Sequence, residues 1–129
     1  VRVNKFTEES ADAFSEAMSA AQNTGQPVIP VVIDSYGGQV YSLLAMISEI
    51  KNSSVPVATI VEGKAMSCGA VLFTFGAPGY RFMAPDATVH KKGHADWFLD
   101  AEECKKHHIC NHIRIPKLVA SATVEISFE

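Results

Sequence analysis

The sequence lacks several features that would assign it to a broad class at once. No apolar run approaches the roughly 20 residues that a transmembrane helix needs. Basic residues are not in excess, because 11 Lys and Arg stand against 14 Asp and Glu for a net charge of -3. They are also scattered along the chain, so no nucleic-acid footprint is predicted. Charges run through residues 1–21, unlike a signal peptide. We therefore expect a soluble, cytoplasmic protein with no membrane or nucleic-acid partner.

Cysteine is also scarce. Cys68, Cys104 and Cys110 are an odd set without a Cys-x-x-Cys pair. Such a set argues against a disulfide framework and favours a reducing compartment.

Apolar residues make up 47% of the chain and recur at helical and strand spacings. The spacing predicts helices over residues 7–21, 40–51, 67–75 and 100–107, and strands over 28–33, 55–61, 80–83, 88–90 and 119–128. The continuous apolar run at 28–33 is typical of a strand buried on both faces. Alternation of strands and helices predicts parallel βαβ units. Residues 1–129 are accordingly expected to form one α/β domain.

Two glycine-containing segments follow the first two predicted strands. The first is Asp34-Ser35-Tyr36-Gly37-Gly38, and the second is Gly63-Lys64-Ala65-Met66-Ser67-Cys68-Gly69-Ala70. Paired glycines let backbone amides face outward where a Cβ would clash. A serine between a strand and a helix has its hydroxyl near partial positive charge, which favours a developing oxyanion. Taken singly, the two segments also fit an ordinary turn and a helix N-cap.

Together and in this order, the segments resemble the signatures of the Clp-type serine peptidases, a branch of the crotonase-like α/β fold. That family has Asn-Ser-Pro-Gly-Gly at the first position and Gly-x-Ala-x-Ser-x-Gly-Ala at the second. The similarity continues through Gly76, Gly79-Tyr80-Arg81 and Pro85, and covers about residues 28–113. The resemblance implies a crotonase-like spiral of βαβ units.

The resemblance also implies roles for individual residues. Ser67 would attack the scissile carbonyl, and the backbone amides of Gly38 and Cys68 would form the oxyanion hole. The family places its catalytic aspartate just before a segment similar to residues 97–104, which nominates Asp96. Asp96 or Asp100 could instead cap the helix that follows. Asp100 is better placed for capping, which leaves Asp96 for another role.

The catalytic histidine is where this sequence departs from the family. The family has it seven residues after the proline, and Lys92 stands there. His90 lies two residues earlier, on the same face of a strand. The family also inserts a long helical handle before its aspartate, and residues 91–95 are all that stand in its place. Either the handle is absent and His90 is recruited, or the sequence joins two segments across a missing handle that carries the base.

A Ser–Lys dyad, as in the related signal-peptide peptidases, is a third alternative for the base. Lys91 or Lys92 would then accept the serine proton. A lysine must be desolvated to lose its proton near neutral pH. Two adjacent lysines beside Gly93 have the pattern of a solvated segment, which argues against either lysine as the base.

A group of metal-binding residue types lies near the C-terminus: Cys104, His107, His108, Cys110 and His112. Two pairs have the i, i+4 helical spacing that can hold a metal ion. The resemblance, however, ends the helix near His107 and puts His108 where a glycine C-cap is expected. We therefore expect a surface cluster and neither a metal nor a cofactor. Trp97 and Phe98 are expected to serve core or interface packing.

The resemblance implies a serine endopeptidase that cleaves peptides or unfolded proteins through an acyl-enzyme on Ser67. It further implies stacked homo-oligomeric rings that enclose the active sites, with an AAA+ unfoldase as a partner. Two alternatives stay open. A crotonase-type acyl-CoA hydratase or isomerase uses the same pair of amides but an acidic side chain in place of the serine. A non-catalytic, ring-forming paralogue would have kept the fold and lost the base.

Overall fold

The computed structural model describes residues 1–91, 97–119 and 125–127. Within these residues the strands are β1 (Arg2–Val3), β2 (Ile29–Ser35), β3 (Val57–Met66), β4 (Arg81–Met83), β5 (Thr88–Lys91), β6 (Trp97–Asp100), β7 (His112–Ile113), β8 (Lys117–Val119) and β9 (Glu125–Ser127). The helices are α1 (Glu8–Gln22), α2 (Val40–Lys51), α3 (Cys68–Phe73) and α4 (Ala101–Lys106). The predicted alternation of strands and helices is thus confirmed.

The first strands form a parallel sheet in the order β1-β2-β3-β4-β7. Each of the first three connections carries one helix, so β1-α1-β2, β2-α2-β3 and β3-α3-β4 are βαβ units. A polypeptide that returns to a parallel neighbour must cross over the sheet, and a helix is the usual way to do so. The mixed α/β fold with a parallel sheet agrees with the expected crotonase-like spiral.

The core is divided between the two faces of this sheet. The larger cluster joins Phe14 and Met18 of α1, Leu43 and Met46 of α2, and Ile33 of β2. A smaller cluster on other strand residues contains Val28, Val32, Ala58, Ile60 and Phe82. Strand β2 contributes to both clusters, which explains its continuous apolar run and confirms that it is buried on both faces.

Helix α1 begins with a capping box at Thr7. The Thr7 hydroxyl accepts a hydrogen bond from the Ser10 amide at 3.1 Å, and the Thr7 amide donates to the Ser10 hydroxyl at 2.8 Å. This reciprocal pair satisfies two amides that the first helical turn leaves without partners. The helix places Phe14 and Met18 against the sheet.

Strand β3 is longer than predicted, and this positions the candidate site. The sequence indicates a strand ending at Val61, because Glu62, Gly63 and Lys64 read as a turn. In the structure β3 continues to Met66, since its second half pairs with a different neighbour, β5. Strand β5 then pairs with β6 in antiparallel fashion. Strand β3 therefore pairs with β4 through its first half and with β5 through its second half.

The connection at the place of the family handle is short in this sequence. Lys91 of β5 pairs with Trp97 of β6, and five residues connect them. Strand β6 itself was not predicted. The sequence predicted a single strand over residues 119–128. The described part of this region instead contains β8 and β9, which pair with each other.

None of the helices described by the structure is long and apolar enough to cross a membrane.

Candidate active site

Ser67 lies at the junction of β3 and α3 in an unusual backbone conformation. Its φ and ψ angles are 54° and −116°, a region that residues with a side chain seldom adopt. The sequence suggested that a serine here could simply cap the helix. Its side chain makes no capping hydrogen bond, although it occupies the N-cap position. Backbone strain of this kind costs about 1–3 kcal/mol and clusters at functional sites.

The two glycines of the first segment pack directly against this junction. A Cβ on Gly37 would lie 2.9 Å from Ser67 Cβ and 3.1 Å from the Met66 carbonyl oxygen. A Cβ on Gly38 would lie 2.6 Å from the carbonyl oxygen of Phe6. Both glycines also have positive φ angles, 110° and 154°. Only glycine fits at these two positions, because Gly37 lies too close to Ser67, and Gly38 too close to Phe6, to leave room for a Cβ.

Gly38 and Cys68, the two expected oxyanion-hole residues, are in contact. The Cys68 thiol donates to the Gly38 carbonyl oxygen at 3.5 Å, and Cys68 itself is buried. In the described part of the chain, the neighbouring amides of Gly37 and Gln39 have acceptors in Ser35 Oγ and the Phe6 carbonyl. No acceptor is present there for the Gly38 amide. A donor left in this state could bind an anionic oxygen.

His90 is brought beside Ser67 by strand pairing. Met66 and His90 are register partners, and the Ser67 amide donates to the His90 carbonyl oxygen at 2.6 Å. Among the described residues, no hydrogen bond joins the Ser67 hydroxyl to the imidazole. The imidazole instead meets the edge of the Phe98 ring, with the two ring centroids 5.4 Å apart. Phe98 is 59% exposed, so of the two expected roles, core or interface packing, its side chain fits only the interface. The side chain of Trp97 lies outside the described residues.

The aspartates and lysines that the sequence nominated near the base are described only in part by the structure. Asp96 and Lys92 lie outside the described residues. Asp100 accepts a hydrogen bond from the Glu103 amide at 2.9 Å and caps α4, as expected. Lys91 follows His90 on β5, so its side chain alternates to the opposite face of the strand from His90.

A polar cluster flanks the site where this sequence departs from the family signatures. Lys64 Nζ lies 3.1 Å from Asp34 Oδ1 and 4.4 Å from the centroid of the Tyr36 ring. The Lys64 amide also donates to Asp34 Oδ1, at 3.3 Å. The hydrogen bond from the Lys64 side chain is the main reason that the pKa of Asp34 lies below its usual value.

A cavity of about 290 Å³ opens at Ser67. Its lining residues are Tyr36, Met66, Ser67 and His90. The sequence did not single out Tyr36 or Met66. For Tyr36 a signal was present, since it replaces the proline of the family signature.

The expected surface cluster near the C-terminus is only partly at the surface. Cys104 and Cys110 are buried, and burial raises the pKa of the Cys104 thiol to about 12. His107 and His108 are exposed. Helix α4 ends at Lys106 with His107 as its C-cap residue, and His108 has a φ of 61°, as expected for a residue in place of a C-cap glycine. Within the described residues, no group of His, Cys, Asp or Glu could hold a metal ion.

Comparison with known proteins points to one family. The model of the Clp protease family matches residues 3–92. The "ATP-dependent Clp protease proteolytic subunit 1" of Chlamydia abortus (strain DSM 27085 / S26/3) is 43% identical over 67 residues, which are 52% of this chain and 34% of that protein. The protein of the same name from Nocardia farcinica (strain IFM 10152) is 42% identical over 57 residues, 44% of this chain and 29% of that protein.

These alignments span about a third of the length of the relatives. The family match is broader on this chain, and it contains both glycine segments, Ser67 and His90. Because the family model covers well over half of the residues, this chain belongs to the Clp protease family.

Proposed function

We propose that this chain is a serine endopeptidase that cleaves peptides or unfolded proteins through an acyl-enzyme on Ser67. The observation that carries this proposal is the conformation of Ser67. Its backbone is strained, its hydroxyl does not cap α3, and it opens on a cavity that His90 also lines. A serine with only a structural role would have no need of this strain. The names of the curated relatives, all proteolytic subunits, support the same reaction class.

The reaction follows the general scheme of serine nucleophiles. His90 takes the proton from the Ser67 hydroxyl as the oxygen attacks the peptide carbonyl, and later returns it to the leaving amine. The amides of Gly38 and Cys68 donate to the oxyanion of the tetrahedral intermediate. Asp96 orients the imidazole. Water then hydrolyses the acyl-enzyme and regenerates the serine.

His90 must move for this scheme to operate. A base has to reach the serine hydroxyl at about 2.6–3.2 Å, and apo structures are often looser than this. The His90 ring packs against Phe98 and lines the same cavity as Ser67, so the scheme requires the imidazole to turn from Phe98 toward the serine.

We also propose that the active chain is a homo-oligomer of stacked rings served by an AAA+ unfoldase. On the first half of α2, Val40, Tyr41 and Leu44 are 61%, 88% and 53% exposed. Exposed apolar groups in this number support contact with another chain. The relatives are named as ATP-dependent, which supports an ATP-driven partner.

A non-catalytic paralogue is the second candidate function. One observation favours it: the imidazole of His90 packs on Phe98 and makes no hydrogen bond to the Ser67 hydroxyl among the described residues. An acyl-CoA hydratase or isomerase has less support, because the residue at the elbow is a serine and not an acid.

Labelling with a fluorophosphonate tests the nucleophile. We expect covalent labelling at Ser67, its loss in Ser67→Ala, and unchanged labelling in Ser19→Ala, which alters an exposed serine of α1. Labelling that is absent from the assembled protein, or that survives in Ser67→Ala, would contradict the peptidase proposal.

The base is tested by comparing two substitutions on β5. His90→Gln should slow labelling by about 10²–10⁴-fold, the usual contribution of a general base. Lys91→Met should leave the rate unchanged. If His90→Gln labels at the normal rate, the base lies elsewhere in the assembled protein. If only Lys91→Met is slow, the Ser–Lys alternative holds.

A further inference from the structure

Asp34, Lys64 and Tyr36 form a cluster that the catalytic scheme does not use. The ammonium of Lys64 bonds to Asp34 Oδ1 at 3.1 Å and faces the Tyr36 ring at 4.4 Å from its centroid. Cations over aromatic rings at this distance are attracted by the ring quadrupole. The backbone amide of Lys64 also donates to Asp34. The Asp34 carboxylate therefore positions the Lys64 ammonium, and the ammonium in turn positions the Tyr36 ring.

Tyr36 connects this cluster to the cavity at the nucleophile. The cavity of about 290 Å³ is lined by Tyr36, Met66, Ser67 and His90. Its volume lies near the lower end of small-molecule sites, roughly 300–1,000 Å³, which suits one side chain of a bound peptide. Any side chain in this cavity would lie within reach of the Tyr36 ring.

The lining groups favour one kind of side chain. Tyr36 is 76% exposed, and Lys64 faces only one side of its ring, which leaves aromatic surface for a ligand. Aromatic rings attract one another in offset-stacked or edge-to-face geometry, beyond the effect of buried area. The thioether of Met66 and the imidazole of His90 also make favourable contacts with aromatic rings.

We propose that Tyr36 is a specificity-determining residue that gives the Ser67 cavity a preference for aromatic over aliphatic substrate side chains. Lys64, held by Asp34, is the positioning residue that fixes the orientation of the Tyr36 ring. This inference rests on the proposed function in one respect, namely that the ligand is a peptide. The preference for aromatic side chains is itself a property of binding. It can therefore be measured without catalysis.

The test compares two small ligands, N-acetyl-phenylalanine amide and N-acetyl-leucine amide, by NMR titration of the full chain. We expect the phenylalanine ligand to bind about two- to tenfold more tightly, the range that an aromatic pair supplies. Tyr36→Leu should make the two affinities equal, and Tyr36→Phe should keep the preference. Phe75→Leu is the matched control, since the Phe75 ring also lies under a lysine ammonium, that of Lys51 at 5.8 Å from its centroid, and does not line the cavity.

The positioning role is tested at Lys64. Lys64→Met should reduce the preference while the unfolding temperature shows an intact fold, and Lys64→Arg should restore it, because the cation returns. Equal affinities in the native chain, or an unchanged ratio in Tyr36→Leu, would overturn the specificity role. A failure of Lys64→Arg to restore the ratio would overturn the positioning role. Fluorophosphonate labelling of the same samples reports separately on the proposed function.

Discussion

At the residue scale, the site depends on the absence of a side chain at Gly37 as well as on the serine itself. Gly37 has no side chain where a Cβ would lie 2.9 Å from Ser67 Cβ, and its φ is 110°. The strained backbone of Ser67 can exist only because this space is left open. The same need explains why a glycine pair follows β2, which the sequence alone could equally attribute to a turn.

The first prediction at this scale concerns Gly37→Ala. Gly25 provides the control, because it also has a positive φ, 78°, but has nothing within 4 Å of an added Cβ. Gly25→Ala should cost only backbone strain, about 1–2 kcal/mol. Gly37→Ala should cost a further 1–3 kcal/mol or so for the close contact, and should slow labelling of Ser67 by tenfold or more. Equal unfolding free energies and equal labelling rates in the two variants would show that the contact is unimportant.

The second residue-scale prediction concerns the charge of Asp34. Its pKa is lowered in the folded protein, chiefly by the hydrogen bond from Lys64. The resulting stability is present above the unfolded pKa of about 3.9 and is lost as the pH falls through the lower folded value. Asp34→Asn keeps an oxygen for the Lys64 amide and removes the charge.

In urea unfolding, Asp34→Asn should be less stable than the native chain by at most about 1 kcal/mol at pH 7, since the pair is partly exposed. The difference should shrink as the pH falls below the unfolded pKa of about 3.9, and it should be lost once the pH is below the lowered pKa of Asp34 in the folded chain. A difference that stays constant between these pH values would mean that the charge of Asp34 has no part in it.

Some site residues could be predicted from the sequence, and others could not. Ser67 and its glycines lie in short segments whose spacing along the chain is fixed, so a motif is sufficient to find them. Tyr36, directly after β2, and Phe98, on β6, contribute exposed side chains to the site. Their places depend on strand register, which no local pattern encodes. His90 was a candidate by strand parity, and its pairing with Met66 supplies the proximity to Ser67.

At the element scale, strand ends are where the predictions differ most from the structure. Strand β3 continues through Glu62 and Gly63, which read as a turn in the sequence. The extension is stabilised by hydrogen bonds to β5, a partner more than twenty residues away. Gly63 fits there because a Cβ would approach Asp34 Oδ1 at 3.2 Å. Helix α1 and the buried β2 were predicted well because their signals are local periodicity and capping.

The end of α4 gives a prediction about a helix cap. The Ile109 amide donates to the Cys104 carbonyl at 2.8 Å, and the His108 amide donates to that of Lys105 at 3.1 Å. These are the two hydrogen bonds of a Schellman motif, whose left-handed residue is usually glycine. His108 occupies it with a φ of 61°.

His108→Gly should raise the free energy of unfolding by about 0.5–1 kcal/mol, because the steric cost of a Cβ in the left-handed region is relieved. His107→Gly is the matched control, and it should change the free energy of unfolding in the opposite direction. His107 has a φ of −92°, so glycine there only adds freedom to the unfolded chain and should lower stability by about 0.5–1 kcal/mol. Chemical denaturation distinguishes these results. Two changes of the same sign would contradict the assignment of the cap.

At the scale of the whole molecule, the exposed apolar surface of α2 is the feature that bears on assembly. The α-helical side of the sheet is closed by a large core, yet the first half of α2 leaves Val40, Tyr41 and Leu44 exposed. The connection between β5 and β6 is only five residues long. The exposed apolar face of α2 is therefore the surface on which the proposed contact with another chain can be tested.

The last prediction is the state of assembly. Light scattering behind size exclusion should give a mass that is a ring-sized multiple of 13.9 kDa. Leu44→Glu puts a charge on the exposed apolar face of α2, and a charge buried in an interface without a partner is strongly unfavourable. This variant should dissociate while its circular dichroism stays native. Ser19→Glu adds the same charge to an exposed position of α1 and should leave the mass unchanged. If the native chain is a monomer at high concentration, the proposed chamber cannot form. If Leu44→Glu assembles normally, α2 faces solvent in the ring and another surface holds the subunits together.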